Sequence, residues 1–145
     1  MKLFAALFFA AAALFAETKV KLESMPAAVQ DTVKEQTKSA TLVGLRKETE
    51  KGKTVYEIET KVNGKTRDLL VNGTGAVIET EEEVDIDSIP APAKAAILKK
   101  AGSGAIQMVE KLTAGSDVSY EGHVRTKTGR NIEVGVNADG SVHKE

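Results

Sequence analysis

The chain has 145 residues, 41% hydrophobic, 28% charged and only 4% aromatic, with neither Cys nor Trp. That length suits one domain or two small ones, with a core built mainly from Val, Ile, Leu and Ala. A net charge of −1 gives no support for nucleic-acid binding, and the missing Cys excludes disulfides, thiol chemistry and a lipidated cysteine.

The first segment, "MKLFAALFFAAAALFAE", has Lys2 followed by an uncharged apolar run from Leu3 to Ala16. The run is short for a bilayer span, which takes roughly 20 residues, and it fits a secretory signal peptide cleaved after Ala16. An uncleaved anchor is the alternative. Loss of Lys2 with the leader would take the net charge from −1 to −2. An exported protein of this size without disulfides points to a bacterial periplasm or the medium.

From Ser24 the pattern becomes helical. Met25, Val29 and Val33 recur every four residues, Pro26 suits a first turn and Ser24 is a capping candidate. The helix is expected to end near Lys38. "ATLVGLRKE" reads as a strand and "EKGK" as a hairpin loop. In "TVYEIETKVNGK", Tyr56, Ile58, Thr60 and Val62 share one strand face, and Val55, Glu57, Glu59 and Lys61 share the other. The charge alternation predicts a buried Tyr face and a wet Glu face. Asn63-Gly64 is a strong hairpin signal. A strand through Leu69 and Val71, a Gly-rich turn and a short strand at Val77 follow. "ETEEEVDID" (79–87) then carries six acids in nine residues and no base.

The same sequence of signals returns 64 or 65 residues later. Ile89, Ala93 and Ile97 repeat the helical stripe, with Ser88 and Pro90 before it and Gly102 and Gly104 to stop it. "AIQMVEKLT" reads as a strand and "TAGSD" as a loop. Tyr120-Glu121 matches Tyr56-Glu57, and "NADGSV" (137–142) matches "NGTGAV" (72–77). Matches in constant order indicate an internal repeat. The expected fold is α+β: two tandem repeats, each one helix packed on a four-stranded antiparallel sheet. The expected boundaries are a signal peptide at 1–16, repeat 1 at 17–80, an acidic connector at 81–87 and repeat 2 at 88–145.

The Ser-x-Pro helix starts, the Tyr-Glu strands and the Asn-x-x-Gly-x-Val turns resemble the PepSY-like group, also described as β-lactamase-inhibitor-protein-like. The resemblance covers nearly all of the chain after the leader, as two tandem modules. It implies exported bacterial modules, a helix on an antiparallel sheet, and a role in restraining peptidases or inhibiting enzymes. The chain departs from the pattern at Thr74, where the second copy has Asp139, and it has one Tyr per copy and no Trp.

No catalytic constellation is visible. The only histidines are His123 and His143, no Ser has an elbow-like Gly setting, and no pair of His or Cys has zinc spacing, so no metal and no cofactor are expected. His123 reads as a solvated strand residue, and "NGTG", "GSG" and "NADGS" read as turns rather than phosphate or calcium loops. The candidate partner-binding surface is the sheet face bearing Glu57, Glu59, Lys61, Leu70, Glu121, His123, Arg125 and Glu133. The expected function is non-enzymatic binding of a protein or peptide in the cell envelope, with a peptidase as the expected target. No nucleic acid, and no membrane after signal cleavage, are expected as partners. The alternative is a small-ligand or cation-binding periplasmic module that uses the acidic connector.

Overall fold

Among the described residues, eight strands and two α-helices follow one another in sequence. The computed structural model describes residues 18–50 and 52–143, so the expected signal peptide and its cleavage point lie outside the described residues. The strands are β1 (Thr18–Lys19), β2 (Thr41–Glu50), β3 (Lys53–Val62), β4 (Lys65–Asn72), β5 (Val77–Glu83), β6 (Ala105–Ala114), β7 (Asp117–Arg125) and β8 (Asn131–Asn137). Helix α1 (Ala27–Gln36) precedes β2, and α2 (Ala91–Ala101) precedes β6. The described residues fall into two units that divide between residues 81 and 82.

All eight strands belong to one sheet in the order β1 to β8. This overturns the expectation of two separate repeats, each a helix on its own four-stranded sheet. Two elements account for the difference. The strand expected to be short at Val77 runs on through acidic residues to Glu83, and Val142 makes only an isolated bridge to Val136. Acidic residues have weak strand preference, so "ETEEE" reads as a connector until the sheet supplies partners for its backbone. Beyond β5, Val84 N–H donates to Val109 O at 2.9 Å, and Val84 and Ile86 pack against the core of the second unit while Asp85 and Asp87 stay exposed.

Within each unit the helix lies against one sheet face. In the first, Met25, Val29 and Val33 meet Tyr56, Ile58, Leu69 and Val71. In the second, Ile89, Ala93 and Ile97 meet Val109, Val124, Val134 and Val136. Both apolar stripes read from the sequence are therefore core. The serines are not caps, however. Pro26 and Pro90 take the N-cap positions, while Ser24 Oγ and Ser88 Oγ donate to Lys21 O and Asp85 O, closing the 3-10 turns at Leu22–Ser24 and Ile86–Ser88. Helix α1 ends at Gln36, and α2 stops at Gly102, whose φ is 56°.

The Asn-x-x-Gly-x-Val stretches are tight turns seated against the helices. Asn72 and Asn137 accept from Gly75 N–H and Gly140 N–H and donate to Ala76 O and Ser141 O. The two turns differ in their side-chain acceptor. Asn72 Oδ1 accepts from Thr74 N–H and Ala76 N–H in the first; in the second, Asp139 Oδ1 accepts from Ser141 N–H. That exchange explains how Thr74 can stand where the second turn has Asp139.

Candidate functional site

The face of each unit turned away from its helix is set by strand register. In β3, Glu57, Glu59 and Lys61 alternate with the core residues Tyr56, Ile58 and Thr60, as the sequence pattern predicts. The other members arrive through irregularities in β2 and β6. Register shifts between Leu42 and Gly44 leave Val43 as an extra residue, and a shift between Ile106 and Met108 does the same for Gln107. A bulge reverses the in-out alternation beyond it. Leu42 and Leu45 thus lie opposite the core-facing Thr60 and Ile58, whereas Gly44 and Arg46 lie opposite Glu59 and Glu57. Likewise Ile106 and Val109 lie opposite Val124 and Gly122, while Met108 and Glu110 lie opposite His123 and Glu121.

Two charged clusters result, one per unit. In the first, Arg46 Nε is 2.7 Å from Glu59 Oε1 and 3.9 Å from Glu57 Oε2. Gly44 makes this possible: a Cβ there would lie 2.0 Å from Glu59 Oε2. In the second, His123 Nε2 is 2.7 Å from Glu110 Oε2 and 3.5 Å from Glu121 Oε1, and its Nδ1 is 3.9 Å from Glu133 Oε1. The hydrogen bond with Glu110, reinforced by the charges of Glu110, Glu121 and Glu133, raises the His123 pKa above its ordinary value near 6.5, against the opposing effect of burial.

The clusters occupy matching places. Glu110 stands 64 positions after Arg46, as Glu121 does after Glu57 and His123 after Glu59. The first cluster is a fixed cation between two acids. The second places an acid at the site of that cation and an imidazole at the site of an acid.

The expectation of a wet Glu face is corrected by burial. Glu57 is 6% exposed, Glu110 5% and Glu121 8%, and Val55 and Leu70 on the same face are buried too. Cross-strand neighbours shield one another, and an ionised carboxylate tolerates such burial because a cationic or hydrogen-bonding partner sits beside it. Of the eight residues singled out from the sequence, Glu57, Leu70 and Glu121 are buried, Glu59, His123 and Glu133 are half-buried, and Lys61 and Arg125 are exposed. The structure gathers Glu121, His123 and Glu133 into one cluster and Glu57 and Glu59 into the other. Leu70 lies opposite Glu57, and Arg125 donates to Asn131 Oδ1 at 3.0 Å. Arg46 and Glu110 escape a period-of-two reading, because the bulges at Val43 and Gln107 reverse the in-out alternation of β2 and β6.

The acidic stretch does not behave as a free cation loop. Glu79 is buried, and Asp87 pairs with Lys94, which lowers its pKa. Glu110, Glu121 and His123 are instead the group among the described residues whose ligand atoms converge, all within 4.8 Å of one another. No helix among the described residues is long and apolar enough to cross a membrane.

No family model and no curated protein matches the sequence. Solved structures do match. A protein described as periplasmic from Bacteroides eggerthii is 16% identical with a TM-score of 0.66, over 83% of this chain and 86% of that one. A DUF2874 family protein from Bacteroides ovatus is 18% identical with a TM-score of 0.62, over 83% and 86%. A BLIP-like protein from Bacteroides fragilis is 17% identical with a TM-score of 0.57, over 83% and 84%. The fold is the one these DUF2874 and BLIP-like proteins share. In this chain each unit's helix takes one sheet face and its charged cluster takes the other.

Proposed function

We propose that this chain is an exported, non-enzymatic periplasmic protein that binds a protein or peptide through the sheet face that a unit turns away from its own helix, restraining a peptidase or a similar enzyme of the envelope. The observation that carries this reading is the placement of charge. Each unit commits one sheet face to its helix and arrays charged side chains, held in strand register, on the other. Side chains fixed in this way lose little freedom when a partner docks. The exposed Lys61 and Arg125, together with the half-buried Glu59, His123 and Glu133, are what a partner would meet. The leader-like N-terminus and the periplasmic description of a structural neighbour support the compartment, and the BLIP-like neighbour supports protein binding. The Ser-x-Pro and Asn-x-x-Gly-x-Val motifs support kinship with PepSY-like proteins. The non-enzymatic part of the reading comes from the sequence, whose motifs report turn and core positions and not a catalytic constellation.

Charge reversal at the two exposed positions tests the reading without disturbing the buried pairs. Lys61→Glu with Arg125→Glu is expected to reduce capture of the partner from a periplasmic extract by about tenfold or more, with stronger loss at low salt, since exposed charges act mainly on encounter. Thermal stability should stay within about 0.5 kcal/mol of the parent, as for other exposed substitutions. An unchanged partner and yield would remove these faces from consideration.

A further inference from the structure

We propose that Glu110, Glu121 and Nε2 of His123 form a binding site for a divalent first-row transition cation, the class for which Zn²⁺ is the simplest probe. The site lies within the second unit and does not depend on the docking role proposed above.

Geometry comes first. Ligands bound to a tetrahedral zinc at roughly 2.0–2.1 Å stand roughly 3.4 Å apart. His123 Nε2 and Glu121 Oε1 are already 3.5 Å apart. Glu110 Oε2, at 2.7 Å from the same nitrogen, has to withdraw by only roughly 0.7 Å to meet that spacing. All three side chains stand on the adjacent strands β6 and β7, with Met108 opposite His123 and Glu110 opposite Glu121. A site built on paired strands holds its ligands more closely than one built on loops. The His123 side chain is 24% exposed, which leaves a path for the ion and a position for water as a further ligand.

The second observation concerns the other nitrogen of the ring. Nδ1 of His123 faces the Glu133 carboxylate at 3.9 Å, while Nε2 faces the two candidate ligands. A metal-binding imidazole characteristically directs its second nitrogen toward a carboxylate or carbonyl, which fixes the tautomer and the ring plane. The four groups therefore form a carboxylate, an imidazole and a pair of carboxylate ligands in sequence.

The third observation is the contrast with the first unit. There Arg46 places a permanent cation beside Glu57 and Glu59. At the matching place the second unit has Glu110, so two glutamates lie directly opposite each other across the strand pair, an arrangement that like charge disfavours. A bound cation would do for Glu110 and Glu121 what Arg46 does for its own acids, and would do so exchangeably.

Ligand chemistry sets the class of ion. Carboxylates alone would suit Ca²⁺ or Mg²⁺, and Ca²⁺ takes about six to eight oxygen ligands. One imidazole and two carboxylates, in a compact site, suit zinc and its first-row neighbours instead.

The test uses the purified, untagged protein after chelator treatment. Zn²⁺ is titrated in competition with a chromophoric chelator, and imidazole resonances are followed in parallel by NMR. The chain has two histidines, so the two rings are readily told apart. Binding of one equivalent is expected, in the presence of excess Ca²⁺, with the His123 ring nitrogens shifting and those of His143 unmoved. Glu110→Gln and His123→Gln should each weaken binding by on the order of tenfold or more, while Glu35→Gln, an exposed position on α1, should leave it unchanged. Zn²⁺ that leaves His123 unshifted, or that binds wild type and both ligand variants equally, would overturn the proposal. The wild-type spectrum alone is decisive should either variant fail to fold.

Discussion

Gly140→Ala is expected to cost about 2–4 kcal/mol of stability, a large share of what a small domain possesses. Gly140 adopts φ +82°, and a Cβ there would lie 2.6 Å from Pro92 O, a backbone carbonyl in the first turn of α2. Two penalties combine: the left-handed conformation costs an L-residue about 1 kcal/mol, and forcing an atom into a packed contact costs about 1–3 kcal/mol more. Gly75 repeats the arrangement with φ +84° and an approach of 2.5 Å to Ala28 O in α1, where Thr32 Oγ1 also donates to Gly75 O at 2.6 Å. Gly115 separates the two penalties, since it has φ +62° with nothing within 4 Å of its virtual Cβ. Urea unfolding should therefore show Gly115→Ala losing only about 1 kcal/mol. If Gly140→Ala were no worse than Gly115→Ala, the close approach of the helix would not be what fixes glycine in the Asn-x-x-Gly-x-Val turn.

The second large effect lies in the core of the second unit. A Cβ at Gly122 would meet Ile97 Cγ2 at 2.6 Å, so Gly122→Ala is expected to destabilise by about 1–3 kcal/mol. Ile97 is fully buried and Cγ2 belongs to a stiff β-branched side chain, which leaves it little room to yield. The first unit solves the same packing problem in reverse: Ile58 stands where Gly122 does, and the shorter Val33 stands where Ile97 does. The helix gains one side-chain carbon where the strand loses four, so the exchange compensates only in part, and the backbone at Gly122 comes close to Ile97. Ile97→Ala alone should cost about 2–5 kcal/mol by opening a cavity. In the Gly122→Ala background it should cost less by about 1 kcal/mol or more, because the new methyl enters that cavity. A double-mutant cycle by chemical denaturation reads the coupling directly, and additivity within about 0.5 kcal/mol would refute this account of the contact.

The helices were legible in the sequence because their stripes keep a strict period: Met25, Val29, Val33 and Ile89, Ala93, Ile97 are all core. The hairpin at Asn63-Gly64 was legible for a local reason as well, since both residues take positive φ, 51° and 83°. Strand alternation in β3 held, with Tyr56 and Ile58 inward. Three features were hidden. The bulges at Val43 and Gln107 break the period of two, so Arg46 and Glu110 could not be assigned to the face that carries the site. Burial of Glu57 and Glu121 depends on partners from neighbouring strands, which a one-dimensional pattern cannot display. Strand β5 owes its backbone pairing to the sheet and not to the preferences of its acidic residues.

The candidate site shows the same division. Glu121, His123 and Glu133 were named from the alternation of their strands, but as members of a broad wet face. What the structure adds is convergence: three carboxylates turned toward one imidazole in the second unit, and two turned toward one guanidinium in the first. The charges are prearranged by register, and few side chains remain exposed around them.

Site-specific photo-crosslinking in intact cells tests the docking face most directly. A photoreactive residue would replace Arg125 on the face turned away from α2, and Lys99 on the exposed side of α2 in a parallel strain. The account predicts a discrete protein adduct from position 125 and none from position 99. An adduct formed only from position 99, or none from position 125 while the protein is folded and exported, would contradict it.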